Sequence, residues 1–153
     1  MITIVDFEDK YQEAFKELNV KWITKFFRLE QLDIITLNEP QKIIDDGGAI
    51  LIALSNNFPV GVCALKKINN EKFELSKFAV SETMQGKGIG KLLMDASFKK
   101  AKELNANTLY LEGNTKLESS IHLYRKYGFK EIPLHESTLQ YERVNIIMEA
   151  SII

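Results

Sequence analysis

The chain has 153 residues, 45% hydrophobic and 27% charged, with a formal net charge of −1. That balance suits a single domain, residues 1–153, around one core, and it excludes a disordered chain and the basic excess of a nucleic-acid binder. No apolar run nears the roughly 20 residues of a membrane span, MITIVDFEDKYQ lacks the features of a leader peptide, and one cysteine with two scattered histidines makes neither a disulfide framework nor a zinc-like spacing; a cytoplasmic, metal-free protein with no membrane or nucleic-acid partner is expected.

In chain order, ITIVDF reads as a first strand, with Asp6 placed to cap a helix. Tyr11, Ala14, Phe15, Leu18, Trp22 and Phe26 recur at helical spacing within residues 8–28. The next stretch, broken by Pro40 and ended by Gly47-Gly48, reads as one or two short helices. AILIAL (residues 49–54) and VGVCALKKI (60–68) form a hairpin around SNNFP, and KFELSKFAV (72–80) is a further strand. A helix runs from Ile89 to about Leu104 on an apolar stripe, and TLYLEG (108–113) is a strand. Thr115 and Glu118 have capping-box spacing before a helix carrying Leu117, Ile121, Tyr124 and Tyr127, which Gly128 ends. FKEIPL and YERVNIIMEA close the chain as strands. The fold class is mixed α/β: a mostly antiparallel mixed sheet of about seven strands flanked by about four helices.

Between Val80 and the helix at Ile89 lies Gln85-Gly86-Lys87-Gly88-Ile89-Gly90. A helix start offers free N–H groups and partial positive charge, and glycines let that backbone approach a phosphate closely. Lys87 and Lys91 add charge on either side, so the loop suits a pyrophosphate. It is neither a P-loop, which would need Gly at 85 and Ser or Thr at 92, nor a dinucleotide fingerprint, which would need Gly at 91.

Gln85, Gly88 and Gly90 fill the three fixed positions of Q/R-x-x-G-x-G/A, and LYRKYGF (residues 123–129) is similar to L-Y-x-x-x-G-F. Together these resemble the GCN5-related N-acetyltransferase (GNAT) family in motif and element order over essentially the whole chain. The resemblance implies acetyl-CoA as cosubstrate, inserted where strands 72–80 and 108–113 part. The backbone of Phe78, Ala79 and Val80 would hold the pantetheine arm, and the amides of Gly86, Lys87, Gly88, Ile89, Gly90 and Lys91 the pyrophosphate. Tyr124 matches the family's tyrosine near the CoA sulfur, with Ser120 and Lys126 on the same helix as further cofactor contacts. Glu74 takes the place of the catalytic glutamate of histone-acetylating members, and strict alternation would put Glu74, Ser76, Phe78 and Val80 on one face. The chain departs from the pattern at Leu117, where Asn is usual, and at Ser120, where Ala is usual. Asn114 is the substitute for the missing amide, or else a turn residue.

An alkylamine is almost wholly protonated at neutral pH, so transfer needs a proton acceptor for it and a donor for the departing thiolate. Glu74 and Tyr124 are the candidates. Cys63 reads as a packed residue, and His122 and His135 as surface groups. The acceptor region is expected within 22–48 and 135–148, where Trp22, Phe26 and Phe27 would wall a pocket and Glu30, Asp33, Asp45 and Asp46 would attract a cation. A small-molecule amine is the first expectation for the acceptor and a protein or peptide amine the second. A noncatalytic acyl-CoA sensor is the rival class. The resemblance leaves room for a homodimer.

Overall fold

A computed structural model describes residues 1–135 and 138–152; Glu136, Ser137 and Ile153 lie outside the described residues. The strands are β1 (Ile2–Asp6), β2 (Ala49–Ser55), β3 (Phe58–Lys67), β4 (Lys72–Val80), β5 (Thr108–Gly113), β6 (Lys130–Ile132) and β7 (Ile146–Ser151). They form one seven-stranded sheet in the order β1-β2-β3-β4-β5-β7-β6. Its pairings are antiparallel except that of β4 with β5. Among the described residues there are five helices rather than about four: α1 (Gln12–Phe26), α2 (Gln31–Asn38), α3 (Pro40–Asp45), α4 (Ile89–Glu103) and α5 (Glu118–Lys126). The fifth arises because Pro40 both stops α2 and opens α3 at its first turn, where a missing N–H costs nothing.

The sheet is apolar on both faces, which is why helices cover both. On one side Tyr11, Phe15, Leu37 and Ile43 of the α1–α3 region pack on Ile50, Ile52 and Val62. On the other, Ile89, Leu93, Met94 and Ala101 of α4 pack on Cys63, Leu65 and Leu109. Gly61 lets α4 come this close, since a Cβ there would lie 3.1 Å from both Ile89 Cγ2 and Leu93 Cδ1. The β2–β3 hairpin turns at Asn56 and Asn57, both at positive φ (51° and 69°), a conformation asparagine tolerates better than most residues.

Three local expectations are corrected. Asp6 stays in β1, and the single 3-10 turn at Asp9–Tyr11 that precedes α1 has no side-chain cap. Thr115 and Glu118 form no capping box, because α5 begins only at Glu118. Instead Asn114 Oδ1 accepts from the Lys116 N–H at 2.8 Å, and Asn145 bridges to Thr115. The closing strands are shorter than their sequences suggested, at three residues for β6 and six for β7. Residues 138–145, which include the first half of the YERVNIIMEA run, are a loop that carries Gln140, Tyr141 and Arg143 back to β4 and α2.

Candidate active site

β4 and β5 are paired only from Lys72–Glu74 against Thr108–Tyr110. Beyond that the strands part, and the reason lies in β4. On β3, Val62 pairs with Ala79 and Ala64 with Ser76, so Cys63 stands opposite two residues, Lys77 and Phe78. This is a β-bulge, with Lys77 at φ 51°, a left-handed conformation that a lysine adopts only when its surroundings impose it. The extra residue also reverses the alternation. Phe73 and Leu75 before it, and Phe78 and Val80 after it, all pack with the α4 cluster, whereas Ala79 packs with α1. Glu74 and Ser76 therefore face away from Phe78 and Val80, and the expectation of one shared face is overturned.

What imposes the bulge is a buried ionic network. Lys77 Nζ donates to Asp33 Oδ1 at 2.6 Å and to the Tyr141 hydroxyl at 3.0 Å. Arg143 grips both oxygens of Asp33 at 2.7 Å and reaches Glu30 at 3.3 Å. Asp33 is fully buried, and it also closes a capping box at the start of α2 by accepting the Glu30 N–H. Burial alone would raise its carboxyl, but the bonds from Arg143 and Lys77 outweigh that and hold it down at about 2. Burial lowers the Lys77 ammonium despite its Asp33 partner. Glu30 and Asp33, expected to attract a cation from outside, are thus already occupied by cations of the chain itself. Asp45 and Asp46 are exposed at the end of α3.

The glycine loop forms one side of a groove of about 420 Å³, with α5 on the other. Gly88 is the N-cap of the 15-residue α4 at φ 81°, and Gly86 has φ 80°. A Cβ at either would meet nothing within 4 Å, so their backbones face open space. Gly90 serves packing instead: a Cβ there would lie 3.4 Å from Leu123 Cδ2 of α5. Gln85, Ile89 and Lys91 line the groove from the loop side and Ser120, His122 and Lys126 from α5. Gln85 Nε2 donates to the Val80 carbonyl at 3.4 Å, tying the loop to the end of β4. Lys87 is exposed on the loop, and Ala79, buried on the opposite face, has only backbone to offer.

Where β4 and β5 part, a smaller cavity of about 110 Å³ adjoins this groove and shares Trp22, Phe78 and Ser120 with it. Its wall is mixed, with Phe27, Leu117 and Ile121 beside Asn19, Ser76, Lys77 and Arg143; Phe26 packs edge-on against Trp22, ring centroids 4.9 Å apart. Tyr124 lines it, braced edge-on by Phe129, and burial pushes its phenol up to about 12 against a small opposing effect of Ser120. Asn114 also lines it, and its side chain donates to the Arg143 carbonyl at 2.7 Å and accepts from the Lys116 N–H. Cys63 is buried beside Ser97, 3.1 Å away, and His135 is exposed.

The sequence reading missed Glu112. It lies on β5 between the core residue Leu111 and Gly113, and it lines the small cavity. Its Oε2 accepts from the Tyr110 hydroxyl at 3.0 Å and from Gln140 Nε2 at 3.2 Å. Its Oε1 is buried and is the one buried side-chain oxygen or nitrogen without a partner among the described residues. The same Gln140 nitrogen donates to Glu74 Oε1 at 3.0 Å. Glu74 is only 5% exposed, and burial, helped by the Glu112 charge, pushes its carboxyl up to about 7. The signal was present: Leu109 and Leu111 point to the core, which leaves Tyr110 and Glu112 on the same face as Glu74.

A sheet parted beside a glycine-led helix start, with a phenol and a carboxylate lining the gap, is the layout of an acyltransferase. The chain belongs to the acetyltransferase (GNAT) family, whose model matches residues 6–129. It is 37% identical over 109 residues to YvbK, an N-acetyltransferase of Bacillus subtilis, covering 66% of this chain and 68% of that one. A GNAT-family acetyltransferase of Staphylococcus aureus Mu50 superposes over 100% of both chains with a TM-score of 0.90 at 24% identity. The PaiA N-acetyltransferase of Thermoplasma acidophilum, solved in complex with coenzyme A, superposes over 99% of each chain with a TM-score of 0.77 at 21% identity.

Proposed function

We propose that the protein transfers the acetyl group of acetyl-CoA to a primary amine of a small molecule, by direct attack with both substrates bound. The observation that carries this reading is the junction of the two cavities. The chamber holding Tyr124 and the unpartnered Glu112 oxygen adjoins the groove of the glycine loop. The groove fits a CoA diphosphate on its own terms, with two left-handed glycines bare toward open space at a helix start and Lys91 and Lys126 alongside. Gly86 to Lys91 would hold that diphosphate, and the β4 backbone beyond the bulge would hold the pantetheine arm. That PaiA was solved with coenzyme A supports the same cosubstrate.

Acetyl-CoA supplies an activated acyl carbon and a thiolate leaving group. The acceptor nitrogen forms the new C–N bond as the C–S bond breaks, and the proton it sheds goes to the carboxylate pair. Glu112 lines the chamber and keeps one oxygen without a partner, and Glu74, raised by burial to about 7, provides a site that still takes up a proton at neutral pH. Tyr124 faces the other proton problem. Its phenol, pushed up by burial to about 12, is a weak acid, so complete transfer of its proton to the thiolate is disfavoured. Tyr124 therefore acts by donating a hydrogen bond to the sulfur as charge builds there.

Calorimetry with acetyl-CoA, followed by CoA release with a panel of amines and peptides, tests the reading. Binding with turnover of small amines is expected, and Tyr124→Phe should lower kcat at least tenfold, about 1.4 kcal/mol of barrier, with CoA affinity unchanged. Turnover of peptides alone would move the acceptor class to peptide amines, and binding without any turnover would favour a sensor.

A further inference from the structure

The charges around the small chamber do not balance evenly, and the imbalance selects an acceptor. Two cations line it, Lys77 and Arg143. Both are already matched: Asp33 bonds each of them, and Glu30 takes a further bond from Arg143. Both also lie against the ring of Tyr141, at 4.6 and 4.2 Å from its centroid. On the β5 side the situation is reversed. Glu112 and Glu74 are held by neutral donors, Tyr110 and Gln140, and among the described residues neither makes an ion pair. Lys66, the nearest candidate, is engaged with the other end of the Gln140 amide at 3.2 Å.

The chamber is thus lined by a carboxylate with one oxygen lacking a donor, and both of the cations that line it are already committed. An ammonium supplies what that oxygen lacks. A carboxylate carried next to the amine would be pressed against Glu112 with both cations already engaged, and such like-charge contact in a site sheltered from water costs several kcal/mol. We infer that the acceptor is a primary alkylammonium with no carboxylate beside its amine. This rests on the acetyl-transfer reading above and narrows its substrate class.

The test uses the full chain, saturating acetyl-CoA and three matched sets that differ at one group: isobutylamine, valinamide and valine; isoamylamine, leucinamide and leucine; phenethylamine, phenylalaninamide and phenylalanine. CoA release is followed for each. The amine and the amide of every set should exceed the amino acid at least tenfold in kcat/KM. Glu112→Gln should lower kcat for every member, and by raising KM for the amines and amides it should bring the members of a set within about threefold of one another in kcat/KM, while CoA affinity measured by calorimetry stays unchanged and reports a folded protein. Amino acids used as well as their amines would overturn the inference. So would a tenfold preference that survives in Glu112→Gln, or no turnover of any of the nine compounds by protein that binds acetyl-CoA. Failure to bind acetyl-CoA at all would instead remove the acetyl-transfer reading itself.

Discussion

Glu74 links stability to pH in a direction opposite to that of most carboxylates. Burial, with the Glu112 charge adding, moves its folded value from 4.5 to about 7. The folded state then binds the proton more tightly than the unfolded chain, so the stabilisation is fully present below 4.5 and is lost as pH rises through 7. The shift corresponds to roughly 3 kcal/mol at most. Glu74→Gln keeps the shape and never ionises. Its denaturation midpoint relative to the unsubstituted chain should therefore climb between pH 5 and pH 8.5. A difference that stays level across that range would mean that Glu74 titrates like an exposed carboxylate. The same variant should lose activity most at low pH and less as pH rises, because free amine becomes abundant and needs the carboxylate less.

At the scale of elements, the bulge in β4 depends on α2. Asp33 sits in the first turn of α2, closes its capping box and holds Lys77 and Arg143 in place. Asp33→Asn would leave two partly buried cations short of an anion, and breaking such a network costs about 3–5 kcal/mol. Urea denaturation should register that loss, and hydrogen exchange should show the amides of α2 opening before the sheet. If α2 kept its protection, the bulge would have another support. Acid acts on the same group. Its folded value near 2, below the ordinary 3.8, gives stability that is present above 3.8 and lost as pH falls toward 2. The network also marks where the sequence was legible. The glycine loop, the hairpin and α4 announce themselves in local residue types, because positive φ, turns and apolar stripes are local requirements. The bulge does not. Lys77 carries no turn-forming signature, and it is turned inward by Asp33, 44 positions earlier, and by Tyr141, 64 later. With the bulge hidden, strict alternation puts Glu74 on the wrong face relative to Phe78, and nothing local to Glu112 in the sequence sets it apart from any other strand carboxylate.

Across the whole molecule, the two halves of the sheet meet at its centre along a short parallel seam. β1 to β4 form one antiparallel half and β5 to β7 the other, and only the three pairs from Lys72 to Glu74 stitch them together. Past that point the facing edges of β4 and β5 have no partner strand, and a ligand lying between them would complete both edges as well as fill the groove. Acetyl-CoA should therefore act as a staple between halves. At a hundredfold excess over its dissociation constant, linkage alone contributes about 2.7 kcal/mol. For a chain of this size that is a rise in Tm of roughly 5–10 °C. Gly88→Val should abolish most of the rise, because it forces a β-branched residue to φ 81° and puts carbon into the open space where the proposed diphosphate would lie. Hydrogen exchange separates stapling from mere ligand linkage. Stapling slows exchange at the β4 amides beyond Ser76 and the β5 amides around Glu112 more than in strands β1 to β3, whereas uniform slowing would show that the two halves were already one cooperative unit without the ligand.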